Sequence, residues 1–254
     1  MVNLDASVPS KAVILAAGLG TRLSIAGAVA EHPKSLTVIG DRPILSWQIE
    51  ALNQVDVGEI LIVSGHMNEV IDDEVNRYRN FGSSVRTIFN ARYSQTNNFQ
   101  SLCLALEAIE GNNSVWVLNG DVVVSQDFFS RVYNLNISQF DGAFVSSKDP
   151  RRGQNMTLHY SQDGSVNKLA REEFPQSGAT ISTDIYLLQP PAISRLLRHH
   201  ASHPQLTEGR WAQSVIGDLI EAGSISMTHI EAAGLWAEID DPEDLSFANS
   251  LFSQ

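Results

Sequence analysis

The sequence predicts an α/β protein built on a mostly parallel, doubly wound sheet with an antiparallel extension. Strand and helix patterns alternate through the first half of the chain. The first strand opens directly into a glycine-rich loop, Gly18-Leu19-Gly20. From about residue 142 the helical patterns give way to closely spaced strand candidates.

The elements follow in order. The apolar run over residues 11–16 is the first strand. A helix is expected at about 44–54, a strand at 59–64, a helix at about 68–79 and a strand at 85–90. A helix at about 101–110, a strand at 114–118 and a helix at about 126–135 complete the alternating half. Alternation of this kind requires crossover connections, hence parallel neighbours, and ligands then bind outside the carboxyl ends of the strands. The loop after residue 16 and the turn Asn119-Gly120-Asp121 both lie at such ends. Antiparallel strands are expected at Ala143 to Ser147, Met156 to Tyr160, Val166 to Leu169 and Ile181 to Leu188, with Asp163-Gly164 turning between two of them. Helices near 191–200 and 211–222 come next, then short strands at 225–230 and 235–239. Asp240-Asp241-Pro242-Glu243-Asp244 has N-cap chemistry and starts a final helix. With no internal repeat or linker, one domain over residues 1–254 is expected.

Composition narrows the function. With 254 residues, 43% of them hydrophobic and 18% charged, the chain can bury one substantial core. A single cysteine, Cys103, excludes an intramolecular disulfide and a cysteine-based zinc site. Its setting in Leu102-Cys103-Leu104 reads as a buried helix position. The net charge of −12 argues against nucleic acid as a partner. No basic-then-apolar leader precedes the first strand and no apolar run reaches membrane-spanning length, so a soluble, cytoplasmic protein is expected, with no membrane partner. The pair His199-His200 has no metal-ligand spacing and suits a helix end.

The segment Ala12-Val-Ile-Leu-Ala-Ala-Gly-Leu-Gly-Thr-Arg22, followed by Pro33-Lys34-Ser35-Leu36, joins a buried strand to a glycine loop and two cations. Leu15, Ala16, Ala17, Gly18 and Gly20 leave the backbone open, so that successive N–H groups can wrap phosphate oxygens and a base edge. Glycines at a strand-to-helix turn serve equally for close packing. The third glycine of a dinucleotide fingerprint and the Gly-Lys-Ser/Thr ending of a P-loop are both missing. The combined pattern resembles the signature L-A-A-G-x-G-x-R followed by P-K-x-L of the nucleotidyltransferases that activate sugar phosphates and phosphorylated alcohols.

Two carboxylates complete the resemblance. Asp121 ends the apolar strand Val115-Trp-Val-Leu-Asn-Gly-Asp121, and Asp240 stands in Glu238-Ile-Asp240-Asp-Pro-Glu-Asp-Leu245. Either could be turn or cap chemistry alone. Both segments are similar to the places where that family keeps its magnesium carboxylates. The resemblance implies a Rossmann-like, GT-A-like fold, with residues 11–140 binding the nucleotide and 141–254 binding the acceptor and closing the site. It also implies Mg2+ on Asp121 and Asp240, Arg22 holding the departing pyrophosphate, and Lys34 stabilising charge at the α-phosphate.

The stretch Thr96-Asn97-Asn98-Phe-Gln-Ser101-Leu102 looks like the branch of phosphocholine and phosphonate cytidylyltransferases. Asn97, Asn98 and Ser101 are therefore nucleotide-reading candidates and CTP the favoured nucleotide, although the same residues can turn and cap a helix. An acceptor carrying an ammonium group would want aromatic faces or a carboxylate; Asp184, Tyr186, Trp211 and Trp236 are the candidates. The expected reaction joins CTP to a phosphorylated or phosphonylated small amino alcohol with release of pyrophosphate. Transfer to a sugar 1-phosphate from UTP, dTTP or GTP is the alternative, and a non-catalytic nucleotide sensor is a third reading. A homodimer is compatible with all three.

Overall fold

The computed structural model describes residues 9–20, 32–78, 82–130, 137–148, 155–173 and 178–252. Strand β1, Lys11–Ala16, is buried on both faces along Ala12, Val13 and Ile14, as the unbroken apolar run of a central parallel strand demands. A single 3₁₀ turn at Lys34–Leu36 leads to the small hairpin β2 (Val38–Ile39) and β3 (Arg42–Pro43). Helix α1 (Ile44–Asn53), strand β4 (Glu59–Ser64), helix α2 (Asn68–Asn76), strand β5 (Ser84–Phe89), helix α3 (Asn98–Ala108) and strand β6 (Val115–Asn119) then alternate as expected. The second half runs through β7 (Val122–Val124), β8 (Gly142–Ser147), β9 (Asn155–Tyr160), β10 (Ser165–Glu172) and β11 (Ala179–Leu188). Helices α4 (Pro190–Ser202), α5 (Pro204–Thr207) and α6 (Ala212–Glu221), strands β12 (Met227–Glu231) and β13 (Trp236–Glu238), and helix α7 (Pro242–Phe252) complete it.

Among the described residues the main sheet has nine strands, in the order β5-β4-β1-β6-β11-β8-β12-β10-β9. Its first four strands are parallel, and β11 then enters antiparallel to β6 with Ile185 opposite Leu118. The chain winds outward from β1 to β4 and β5 on one side and to β6 on the other. The ends of β1 and β6 therefore diverge at the position where open α/β sheets bind ligands.

One core face packs α1 and α2 against the sheet with Phe128 and Phe129; the opposite face packs α3, α4 and α6. A third, smaller cluster joins β7, β13, α1 and α7. The helix expected from residue 126 does not form over its first residues, 126–130, which run as turns, while residues 131–135 lie outside the described residues. Ser125 and Asp127 explain the turns: the Ser125 hydroxyl donates to the Asp127 carboxylate at 2.5 Å, and the Phe128 and Ser130 amides close four-residue turns onto the Ser125 and Asp127 carbonyls. Helix α3 starts three residues earlier than expected because the Asn97 side chain accepts from the Asn98 amide at its N-terminus.

Candidate active site

The ends of β1 and β6 open into a cleft of about 320 Å3. The glycine loop forms one wall: Leu15, Ala16, Ala17, Gly18 and Gly20 all line it. A Cβ added at Gly18 would meet no atom of the described residues within 4 Å, so their packing does not require a glycine there. Gly120 is different, since a Cβ would meet the Leu15 carbonyl oxygen at 2.8 Å. Its amide donates to that same oxygen at 3.0 Å, which clamps the Asn119-Gly120-Asp121 turn onto the end of β1. Gln48 straps the turn from below: fully buried on α1, its side-chain amide donates to the carbonyls of Asn119 and Val122 at 2.7 and 2.8 Å.

Asp121 and Asp240 come together because β7, which follows Asp121, pairs antiparallel with β13, which precedes Asp240. The Ile239 amide also donates to the Asp121 carbonyl. Along β13 the alternation buries Ala237 and Ile239 and turns Glu238 and Asp240 to the cleft. Capping of α7 falls to Asp241, whose carboxylate accepts from the amides of Glu243 and Asp244, while Asp244 accepts in return from the amides of Asp240 and Asp241. Asp240 itself is thereby left to the cleft.

Lys34 lies between the two aspartates and donates to Asp121 at 2.8 Å and to Asp240 at 2.6 Å. Burial alone would lower its pKa; the paired carboxylates of Asp121 and Asp240 outweigh that and hold the ammonium above the ordinary lysine range. Oxygens of Asp121, Glu238 and Asp240 lie within 4.8 Å of one another. The second oxygen of Asp121, Oδ1, is buried and has no hydrogen-bond partner among the described residues. Clustered hard oxygen donors, one of them unsatisfied, fit a divalent cation of the magnesium type. Glu238 was missed in the sequence, although its position two residues before Asp240 on a strand puts both on one face.

Around the nucleotide-reading candidates, much of the side-chain chemistry is spent internally. Asn97 caps α3. The Asn98 side chain donates to Asn119 at 3.3 Å and accepts from the Ala212 amide at 2.8 Å, tying α3 to β6 and α6. Ser101 is buried and accepts from Asn90 at 3.0 Å. All three residues still line the cleft.

At the far end stand Asp184 and Trp211, together with Met156, Arg171 and Gln213, which sequence reasoning did not single out. Two acceptor candidates are not part of this wall. Tyr186 is completely buried, paired with Val117 and Phe144 inside the sheet, where burial and then the charge of Asp184 push its pKa up. Trp236 packs against the core instead of the cleft. Cys103 is buried as expected, its pKa pushed up to about 12 by burial and then by Glu107, so the thiol is chemically quiet. Arg22 lies outside the described residues. Among the described residues no helix is long and apolar enough to cross a membrane.

The fold and cleft define an α/β nucleotidyltransferase domain. More particularly, the chain belongs to the MobA-like NTP transferase domain family, which matches residues 12–177. It is 30% identical, over 97% of its own length, to the CMP-5'-(3-aminopropyl)phosphonate synthase of Streptomyces rubellomurinus, covering 39% of that protein. It is 34% identical over 119 residues, 47% of this chain, to the choline-phosphate cytidylyltransferase of Streptococcus pneumoniae, covering 48% of that protein. The chain thus matches less than half the length of either relative. The solved structure of CTP:phosphocholine cytidylyltransferase from Streptococcus pneumoniae superposes with a TM-score of 0.74 at 23% identity, over 94% of this chain and 97% of that one, and so shares its fold.

Proposed function

We propose that the chain is a magnesium-dependent cytidylyltransferase that joins CTP to a small phosphorylated or phosphonylated amino alcohol and releases pyrophosphate. The observation that carries this reading is the convergence, in one cleft, of the glycine loop, Lys34, the Asp121-Glu238-Asp240 cluster and an acceptor end containing Asp184. The two relatives described above, both named for attaching a cytidylyl group to a phosphonate or a phosphate ester, support CTP and this acceptor class.

In this reading an acceptor oxygen attacks the α-phosphorus in line, a new P–O bond forms, and the bond from the α-phosphorus to the bridging oxygen breaks as pyrophosphate leaves. A phosphate or phosphonate oxygen is already ionised near neutral pH, with a second phosphate pKa of about 6, so no general base is required. The work of the protein is positioning and charge stabilisation. Backbone amides from Ala17 to Gly20 cradle the nucleotide, and Asn98 and Ser101 shape the side of the cleft where the base is read. Asp121, Glu238 and Asp240 would hold the magnesium ion, which when bound neutralises phosphate charge. Lys34, released from the aspartates, offsets charge at the α-phosphate, and Arg22, two residues beyond Gly20, takes the pyrophosphate. A reaction that draws on CTP supports a cytoplasmic location.

The test is pyrophosphate release across a panel of CTP, UTP, dTTP and GTP against amino-alcohol phosphates, aminoalkyl phosphonates and sugar 1-phosphates. Release with CTP and an amino acceptor is expected. Release only with another nucleotide and a sugar 1-phosphate would move the chain to the sugar-activating class.

A further inference from the structure

The far end of the cleft carries a carboxylate on an irregular stretch of strand. Strand β11 breaks register with β8 between Ser182 and Tyr186, and within the break Asp184 adopts a left-handed conformation with φ of 60°. Asparagine and aspartate tolerate that region better than most residues, yet inside a strand it is an uncommon conformation that persists only where its surroundings hold it. Here the Asp184 amide donates to the Ser182 hydroxyl at 3.1 Å, and the Gln213 side chain donates to the Asp184 carboxylate at 2.6 Å and to Ser182 at 3.1 Å. The bulge thus presents a carboxylate at the cleft wall with its orientation set by Gln213.

Gln213 lines the same wall and is itself held in place. It is 5% exposed, its amide nitrogen is committed to Asp184 and Ser182, and its buried Oε1 has no hydrogen-bond partner among the described residues. A carboxylate held at the cleft wall by a neutral amide calls for a cation, and one that carries N–H donors can hydrogen-bond to it. A cation already occupies the neighbouring aromatic surface. Among the described residues, Trp211 is an aromatic residue on this wall of the cleft, and the Arg171 guanidinium lies over its ring with the carbon 3.7 Å from the centroid. That face already holds a cation, so it cannot also receive a trimethylammonium group.

We propose that Asp184, positioned by Gln213, reads a primary ammonium group on the acceptor, and that Arg171 stacked on Trp211 excludes a quaternary one. The inference rests on the transfer reaction proposed above and narrows its acceptor from amino alcohols in general to those with an N–H-bearing nitrogen.

The test measures CTP-dependent pyrophosphate release with phosphoethanolamine, its N-methyl and N,N-dimethyl forms, and phosphocholine, together with 2-aminoethylphosphonate and its trimethylammonium analogue. CTP binding is measured separately by calorimetry. In the wild type kcat/KM falls with each added methyl and is at least about 10-fold lower for the quaternary acceptors, since a site built to hydrogen-bond rejects an analogue lacking the donor. Asp184→Asn keeps the shape and tolerates the left-handed backbone; it should raise KM for the primary amines about 10-fold or more with CTP affinity unchanged. Arg171→Met should raise the ratio of quaternary to primary turnover. Equal use of primary and quaternary acceptors by the wild type, or an unchanged ratio in both variants, would overturn the inference and leave the transfer reaction standing. No pyrophosphate from any of these acceptors would overturn the transfer reading itself, and the inference with it.

Discussion

Replacing Lys34 by methionine isolates the role of its ammonium in holding the two aspartates together. In Lys34→Met the stem is kept, and two charge-assisted hydrogen bonds of 2.8 and 2.6 Å are lost. Each such bond contributes on the order of 1.5–3 kcal/mol. The side chains of Asp121 and Asp240 are 24% and 29% exposed, so water recovers part of the loss while the carboxylates are left to repel one another. A net destabilisation of about 2–3 kcal/mol follows for the metal-free protein. For a chain of this size that is a fall in Tm of roughly 4–12 °C. The assay is thermal denaturation in EDTA and again with saturating Mg2+ or Mn2+. Lysine and cation compete for the same oxygens, so the cation should raise the Tm of the variant more than that of the wild type, by mass action on the folded state. An unchanged Tm in EDTA, or equal gains from the cation in both proteins, would refute the competition.

Further outcomes follow from the same geometry. Asp121→Asn and Asp240→Asn should each lower turnover by at least about 100-fold, the cost of losing a principal electrostatic group, with Glu238→Gln weakening divalent-cation affinity in calorimetry. Gly18→Ala should leave Tm unchanged and weaken nucleotide binding roughly 10-fold, because the new methyl meets only cleft space. Gly120→Ala should instead destabilise the fold by about 1–3 kcal/mol through its contact with the Leu15 carbonyl, read as a lower urea midpoint. Asn98→Ala and Ser101→Ala should narrow the preference for CTP over UTP in competition assays, a buried polar contact being worth about 1–3 kcal/mol.

Much of this was legible because the signals are local. An unbroken apolar strand followed by small residues marks β1 and its loop, and the parallel pairing of β1 with β4 and β6 follows from alternation alone. Asp121 and Asp240 were legible as a pair only through their motifs; the β7–β13 pairing that joins them spans more than a hundred residues and leaves no local trace. The acceptor end was the least readable. Tyr186 is an aromatic residue two positions from Asp184, but the register break at Asp184 leaves it buried in the sheet opposite Phe144. Gln48 and Gln213 act by orienting a turn and a carboxylate across the sheet, and nothing in their flanking residues announces it. Arg171 becomes meaningful only once β10 and the N-terminus of α6 bring it over Trp211.

The central claim is transfer at the α-phosphorus of CTP within this cleft, and the fate of the individual phosphates tests it most directly. The protein is incubated with Mg2+, 2-aminoethylphosphonate or phosphoethanolamine, and CTP labelled with 32P at either the α or the γ position. The account predicts that α-label passes into an acceptor-linked cytidylyl product and that γ-label appears only in pyrophosphate, with neither released when the acceptor is omitted. Labelled inorganic phosphate from γ-labelled CTP, or α-label retained entirely in free nucleotides, would contradict it.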